Sequence, residues 1–338
     1  MSSSFFTQTL DFVTQYTFYS GCVTFILGII GNAINILVFS RLKLFRGNRC
    51  AFYLILESIS NFLFHFVFMT LTIFTSIYGD DGTAHFPIWC KLRYMLGPTF
   101  AVITYYMICF TTIDQYFSTH CRYNFRQICT IKSTHISAFI IISIAIIHSI
   151  ILGSFFDIQP LVGCVISNEI YLQYTTFLYY PVLIGLLPIV ITLFFSLLAY
   201  RNVRRIVRRQ LPIVRRRLDR QMTAMIVIRV IFFICLVLPY NICRIYVTIY
   251  PISRDDMLRY VIVRLVQAIT FSFSQANYTV GFYLFIISSS RFRRQTKYVI
   301  FKKLWPRCKQ GCCLKNNEVV PENFEESGNH NIELEDAS

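Results

Sequence analysis

Three acids and bases stand in this 338-residue chain where the surrounding residues are almost wholly apolar. Glu57 lies in AFYLILESISNFLFHFVFMTLTIF, Arg229 in MIVIRVIFFICLVLPYNICR, and Asp114 closes a stretch free of charge back to Arg93. An ionisable side chain in such a setting is costly unless paired, and is a functional candidate for that reason. A second set is oxidative: Cys90 and Cys164, two thiols flanking apolar runs, could form a disulfide if both face an oxidising compartment. A third mixes cations with rings, Lys91, Arg93, Arg244, Arg259 and Arg264 among Tyr94, Tyr246, Tyr250 and Tyr260. Guanidinium and aromatic groups together suit an anionic ligand, while the bland alternative is that these cations reach to lipid headgroups. Arg93 and Arg244 are the strongest pocket candidates. A fourth set is Cys308, Cys312 and Cys313 beside a basic amphipathic segment, where S-palmitoylation is expected. His65, within the Glu57 stretch, reads as a hydrogen-bonded packing residue. His65, His148 and Glu57 form no recognisable catalytic set. With no Walker loop, zinc spacing or nucleophile elbow in the chain, neither an enzyme nor a cofactor is expected.

The elements that must position these groups are membrane spans. The chain is 55% hydrophobic, 17% aromatic and 14% charged, against roughly 25% charged in soluble domains, and its mean hydropathy is +0.54. Seven apolar runs, at about 17–40, 51–77, 92–117, 134–156, 174–200, 222–250 and 258–289, each exceed the length of about 20 residues that crosses a bilayer. The run from Cys90 to Tyr116, taken as a helix, would measure roughly 40 Å. That places Cys90 at one boundary and Asp114, Gln115 and Tyr116 at the other. After the seventh run, RFRRQTKYVIFKKLW carries Phe292, Val299, Ile300 and Leu304 roughly on one face and reads as a surface helix over 290–305. The expected organisation is an external segment 1–16, a helical domain 17–305 and a tail 306–338. That tail is acidic from Asn316 and reads as disordered.

Charge sets the expected orientation. Twenty-five of the 32 Lys and Arg fall in alternate connections and after the last run. By the positive-inside rule those segments are cytosolic, which places the N-terminus and both Cys90 and Cys164 outside. The net charge of +15 then describes a cytosolic face near anionic lipid, and no nucleic-acid partner is expected.

Seven spans, Gly31-Asn32 in the first, Cys90 with a loop Cys164, Asp114-Gln115-Tyr116 at the base of the third, prolines in the fifth and sixth and a trailing amphipathic helix together resemble a rhodopsin-like G-protein-coupled receptor. The likeness is to a divergent, invertebrate-type member nearest the peptide receptors. It covers about residues 17–305 and implies an all-α seven-transmembrane bundle in the plasma membrane, with a cystine joining Cys90 to Cys164. It also implies an extracellular ligand and a heterotrimeric G protein as partners, with the sixth span swinging about Pro239. The family's base triplet is Asp-Arg-Tyr, whereas Gln115 stands here in place of the Arg. Asp219, where a second acid would face it, can therefore form no ion pair with position 115, only a neutral hydrogen bond. A weaker resting latch is expected, with Arg229 pairing instead with Asp114 or Glu57. Other departures are Ser60 or Asn61 at the sodium-site Asp, Val237 at the Trp of the sixth span, GFYLF (281–285) at Asn-Pro-x-x-Tyr, and no Trp in the fourth span.

The resemblance also narrows the ligand. Gly97 occupies the place of the aminergic Asp, and no Lys lies between Met257 and Ile287 to hold retinal. Arg93, Tyr94, Gly97, Arg244, Arg264 and Gln267 are the expected ligand positions, and a neuropeptide the expected ligand. The competing readings are a chemosensory receptor for a small organic ligand and, less favoured, a transporter, which would show internal repeats that this chain lacks.

Overall fold

The computed structural model describes residues 3–42, 45, 48–79, 82, 83, 85–120, 130–159, 163–206, 213–250 and 257–304. Cys308, Cys312 and Cys313 lie outside these residues, as does the side chain of Asp219. Among the described residues, seven helices are long and apolar enough to cross a membrane. They are α1 (Ser3–Arg41), α2 (Arg49–Tyr78), α3 (Pro87–Thr119), α4 (Ile131–Ser154), α5 (Glu169–Arg204), α6 (Ile213–Ile249) and α7 (Met257–Ala276). Two shorter helices follow, α8 (Gly281–Ser288) and α9 (Ser290–Tyr298). The protein is an all-α seven-helix membrane bundle.

Local chemistry sets several boundaries. Asn48, Thr130, Asn168 and Ser289 each accept a backbone N–H of the helix they precede, α2, α4, α5 and α9 in turn, as short polar side chains do at an N-cap. Pro87 opens α3, where its missing N–H costs nothing. Gly79, at φ 74°, ends α2 in the left-handed conformation that glycine tolerates. Inside α5, Pro181 lies in a π-helical stretch, Tyr174–Leu186, and α2 widens likewise over His65–Met69.

The centre of the bundle is α3, packed against α2, α4 and α5. Between α4 and α5 a hairpin of β1 (Phe156–Gln159) and β2 (Gly163–Ile166) pairs Ile158 with Cys164. The cystine Cys90–Cys164, with Cα atoms 5.8 Å apart, ties β2 to the start of α3. Lys91 adds an ion pair to Asp157 at 3.2 Å. The Lys91 ammonium, then the Ser167 hydroxyl, hold the Asp157 carboxyl below its ordinary range. At the arginine-rich end, α9 is docked by the fully buried Phe292, whose ring lies 5.5 Å from Phe39 and 5.8 Å from Phe285. Of the apolar face read from its sequence, Phe292 and Val299 are buried, with Thr296 beside them. In contrast, Phe139, Ile136 and Ile147 of α4 are exposed, as lipid-facing side chains of a membrane helix are.

The chain does not run straight through its last crossing. Between α7 and α8 it breaks into tight turns, with Tyr278 N bonded to Gln275 O and Thr279 N to Ala276 O. Such a break frees carbonyls that lipid cannot satisfy. Side chains of other helices meet them: Asn32 Nδ2 donates to Tyr278 O at 2.9 Å, and Arg229 Nη2 to Asn277 O at 3.1 Å.

Candidate functional site

Toward the cystine end, α6 and α7 enclose a cleft of about 470 Å³, with Val13 of α1 on its rim. Tyr240 and Arg244 enter it from α6, Arg264, Gln267 and Phe271 from α7. The Arg244 guanidinium lies over the Tyr180 ring, its Cζ 3.4 Å from the centroid, and Nη1 donates to the Tyr240 hydroxyl at 3.0 Å. Arg264 is 5.2 Å from the Tyr260 ring. Stacking and a phenol orient these cations without neutralising them. Among the described residues no carboxylate pairs with either one; Glu57, Asp114 and Asp157 are each engaged by another cation. The cleft is therefore a concave, aromatic-walled space with two guanidinium groups and an amide.

Of the six ligand positions read from the sequence, the structure brings Arg244, Arg264 and Gln267 together there. The other three do not line this cleft. Arg93 lies 5.9 Å from the Phe68 ring, and Tyr94 stacks on Phe156 at 4.0 Å. Gly97 is a packing glycine, since a Cβ there would sit 3.3 Å from Phe68.

A second constellation is buried in the bundle. Arg229 of α6, 1% exposed, donates through Nε at 3.0 Å and Nη2 at 2.7 Å to Oε1 of Glu57 on α2, itself 4% exposed. Its Nη1 reaches Oδ1 of Asn277 at 2.7 Å. One guanidinium thus joins α2, α6 and the break after α7. Beside it runs a neutral chain in which Thr104 donates to Asn61 Oδ1 at 2.8 Å, Asn61 Nδ2 faces Asn32 Oδ1 at 3.4 Å, and Ser60 donates to Phe100 O. His65, fully buried, contacts the Thr279 hydroxyl at 3.1 Å.

A third constellation sits at the base of α3. Asp114 Oδ1 pairs with Arg49 Nε at 3.1 Å. The Cys50 thiol lies 3.1 Å from both Asp114 Oδ2 and Gln115 Oε1. Gln115 Nε2 donates to the Thr223 hydroxyl of α6. Among the described side chains, Gln115 thus reaches α6 through a neutral hydrogen bond to Thr223, one turn nearer Pro239 than Asp219. Tyr116 packs beside Phe117, His120 and Phe195.

Nothing in the sequence alone assigns a role to Arg49, Thr223 or Asn277. Arg49 is one cation among several in a basic loop, and Thr223 is an ordinary small polar residue. Asn277, in the sequon Asn-Tyr-Thr inside an apolar run, did carry a signal: a buried amide there needs a partner.

Comparison with known proteins adds one match: the family model described as 7 transmembrane receptor (rhodopsin family) fits residues 31–279. No curated protein matches the chain.

Proposed function

The chain belongs to the rhodopsin family of seven-transmembrane receptors, and we propose that it binds an extracellular ligand bearing an anionic group, a neuropeptide in our reading, and passes the signal to a heterotrimeric G protein. The observation that carries the ligand class is the pair Arg244 and Arg264, two cations in one half-enclosed cleft whose lining holds no acid and which form no ion pair among the described residues. Arg264 is exposed and Arg244 partly buried, and a charge drawn away from water, as Arg244 is, costs free energy unless it is paired. An incoming carboxylate or other anion would supply the missing partner. Tyr240, Phe271 and Gln267 would hold the adjoining apolar and polar parts.

The bias of Lys and Arg toward alternate connections supports the cystine end facing outward, and the receptor family supports the plasma membrane. The arginine-rich end is then the face offered to the G protein. Pro239 interrupts the hydrogen-bond ladder of α6, so the segment before it can move as an arm. A ligand shifts the arm only to the extent that it binds the open state better than the closed one.

The test is guanine-nucleotide exchange on membranes carrying the receptor, challenged with a peptide library made in free-acid and amide forms and with a panel of small organic acids. Activation by peptides, reduced roughly 10- to 100-fold in potency by Arg244→Gln or Arg264→Gln, supports the reading. Activation by small organic acids alone would favour a chemosensory receptor. Activation that both substitutions leave unchanged overturns the anionic-ligand assignment.

A further inference from the structure

The Glu57–Arg229 pair sits where nothing in ligand recognition requires it. It is not in the cleft, and neither residue faces solvent. Burying two full charges gains little net stability, because desolvation offsets most of their attraction. Well-packed apolar residues would hold α2 and α6 together at least as well. A pair kept under those conditions points to a device whose two states differ in hydration.

Three observations give the device its form. Arg229 lies ten positions before Pro239, about 15 Å along α6, on the arm that the proline uncouples. The same guanidinium bonds Asn277 through both its side chain and its carbonyl, at the break between α7 and α8. The surroundings of the pair are not fully satisfied. Asn35 Oδ1 and Asn277 Nδ2, buried in the same region, have no hydrogen-bond partner within the protein, and such groups raise the energy of the state that contains them. The closed arrangement is therefore specific in geometry without being deeply favoured.

We propose that Glu57, Arg229 and Asn277 are the resting clasp of α6 in this chain: they hold the arm before Pro239 against α2 and the α7–α8 break, and separating the two charges into water frees it. The clasp takes over the holding function that a charged residue at position 115 would serve, leaving Gln115–Thr223 as a weaker second link farther along the arm. Glu57 and Arg229 act as positioning residues and touch neither ligand nor G protein. The proposal rests on the receptor reading only for its purpose. The movement itself is a property of the bundle.

Distance measurement between nitroxides tests it without ligand or G protein. Labels carried on non-natural side chains at Lys132 of α4 and Ala224 of α6, both exposed, avoid the native cysteines. In the otherwise unaltered full-length receptor we expect one short distance. In Glu57→Leu/Arg229→Met, which leaves no charge unpaired, we expect the long-distance population to rise about tenfold or more, with the Cys90–Cys164 cystine intact. Arg229→Lys, which keeps the charge but loses the forked contacts, should fall between. The double variant keeps the test open if Arg229→Gln alone fails to fold. A double variant whose distances match the unaltered receptor overturns the proposal, as does a long distance already dominant in that receptor. Either result leaves the nucleotide-exchange test of receptor function untouched.

Discussion

Arg229 and Glu57, 172 positions apart in sequence, meet through two hydrogen bonds that converge on a single carboxylate oxygen, Oε1. Both side chains are at most 5% exposed. The second carboxylate oxygen takes no part in this ion pair, so the contact is directional and does not lock both groups.

That geometry separates single from double substitution. Removing one partner strands a buried charge, at a cost of about 3–5 kcal/mol. Glu57→Gln or Arg229→Gln should therefore lower the melting temperature of detergent-purified protein substantially. Glu57→Leu/Arg229→Met strands no charge and should lose markedly less, its remaining loss coming from the Asn277 oxygens that Arg229 no longer meets. Equal losses in the single and double variants would mean that packing volume, not charge, is the quantity that matters.

Gln115 and Thr223 link α3 to α6 by a neutral hydrogen bond, in contact with the Cys50 thiol and near the Asp114–Arg49 pair. Thr223→Val keeps the shape and removes the acceptor. A buried amide donor then goes unsatisfied, at a cost of about 1–3 kcal/mol. Basal nucleotide exchange should rise several-fold, and Gln115→Leu added to it should cause little further change, because both act on one bond. Additive effects would show that the two residues act separately.

Gly28 of α1 is filled from across the interface by the His65 ring, which occupies the space a Cβ would need. Gly28→Ala should destabilise the protein by about 1–3 kcal/mol through overpacking. It should also displace His65 from Thr279. Adding His65→Ala should restore part of the loss. A Gly28→Ala protein as stable as its parent would show that the helices can part there without cost.

At the cystine end, Lys91 first and Ser167 second keep the Asp157 carboxyl below its usual range. A carboxyl depressed in the folded state contributes stability above its unfolded value of about 3.9 and loses it as pH falls through the folded one. The group is fully exposed, so the effect is small and screened by salt. Asp157→Asn should lower the melting temperature slightly at pH 6, and the difference from the unaltered protein should shrink as pH falls below the unfolded value and through the folded one, or in high salt. A difference that persists in acid would assign it to hydrogen-bond geometry instead.

The cystine itself closes a loop of 74 residues, and its removal in Cys164→Ser should cost about 2–4 kcal/mol. The same substitution should release one titratable thiol at Cys90. Unchanged thermal stability would mean that the Lys91–Asp157 pair and hairpin packing hold β2 on their own.

Residue order alone determined the architecture of this protein. A window of some twenty apolar residues can satisfy its backbone in lipid only as a helix, so seven crossings follow from hydropathy without any contact being known. Spacing likewise placed Cys90 at one end of α3 and Asp114 at the other. It marked Glu57, Asp114 and Arg229 as charges in need of partners, because a lone ion in hydrocarbon is costly wherever it sits. Only the tertiary structure decided who pairs with whom. Both Asp114 and Glu57 were open to Arg229; the rotation of α2 about its axis delivers Glu57 to α6, while Arg49 at its first turn takes Asp114. The break after Ala276, which turns Asn277 from an unused sequon into the third member of the clasp, was hidden for the same reason. The carbonyls it frees are tolerable only because Arg229 and Asn32, distant in sequence, are there to meet them.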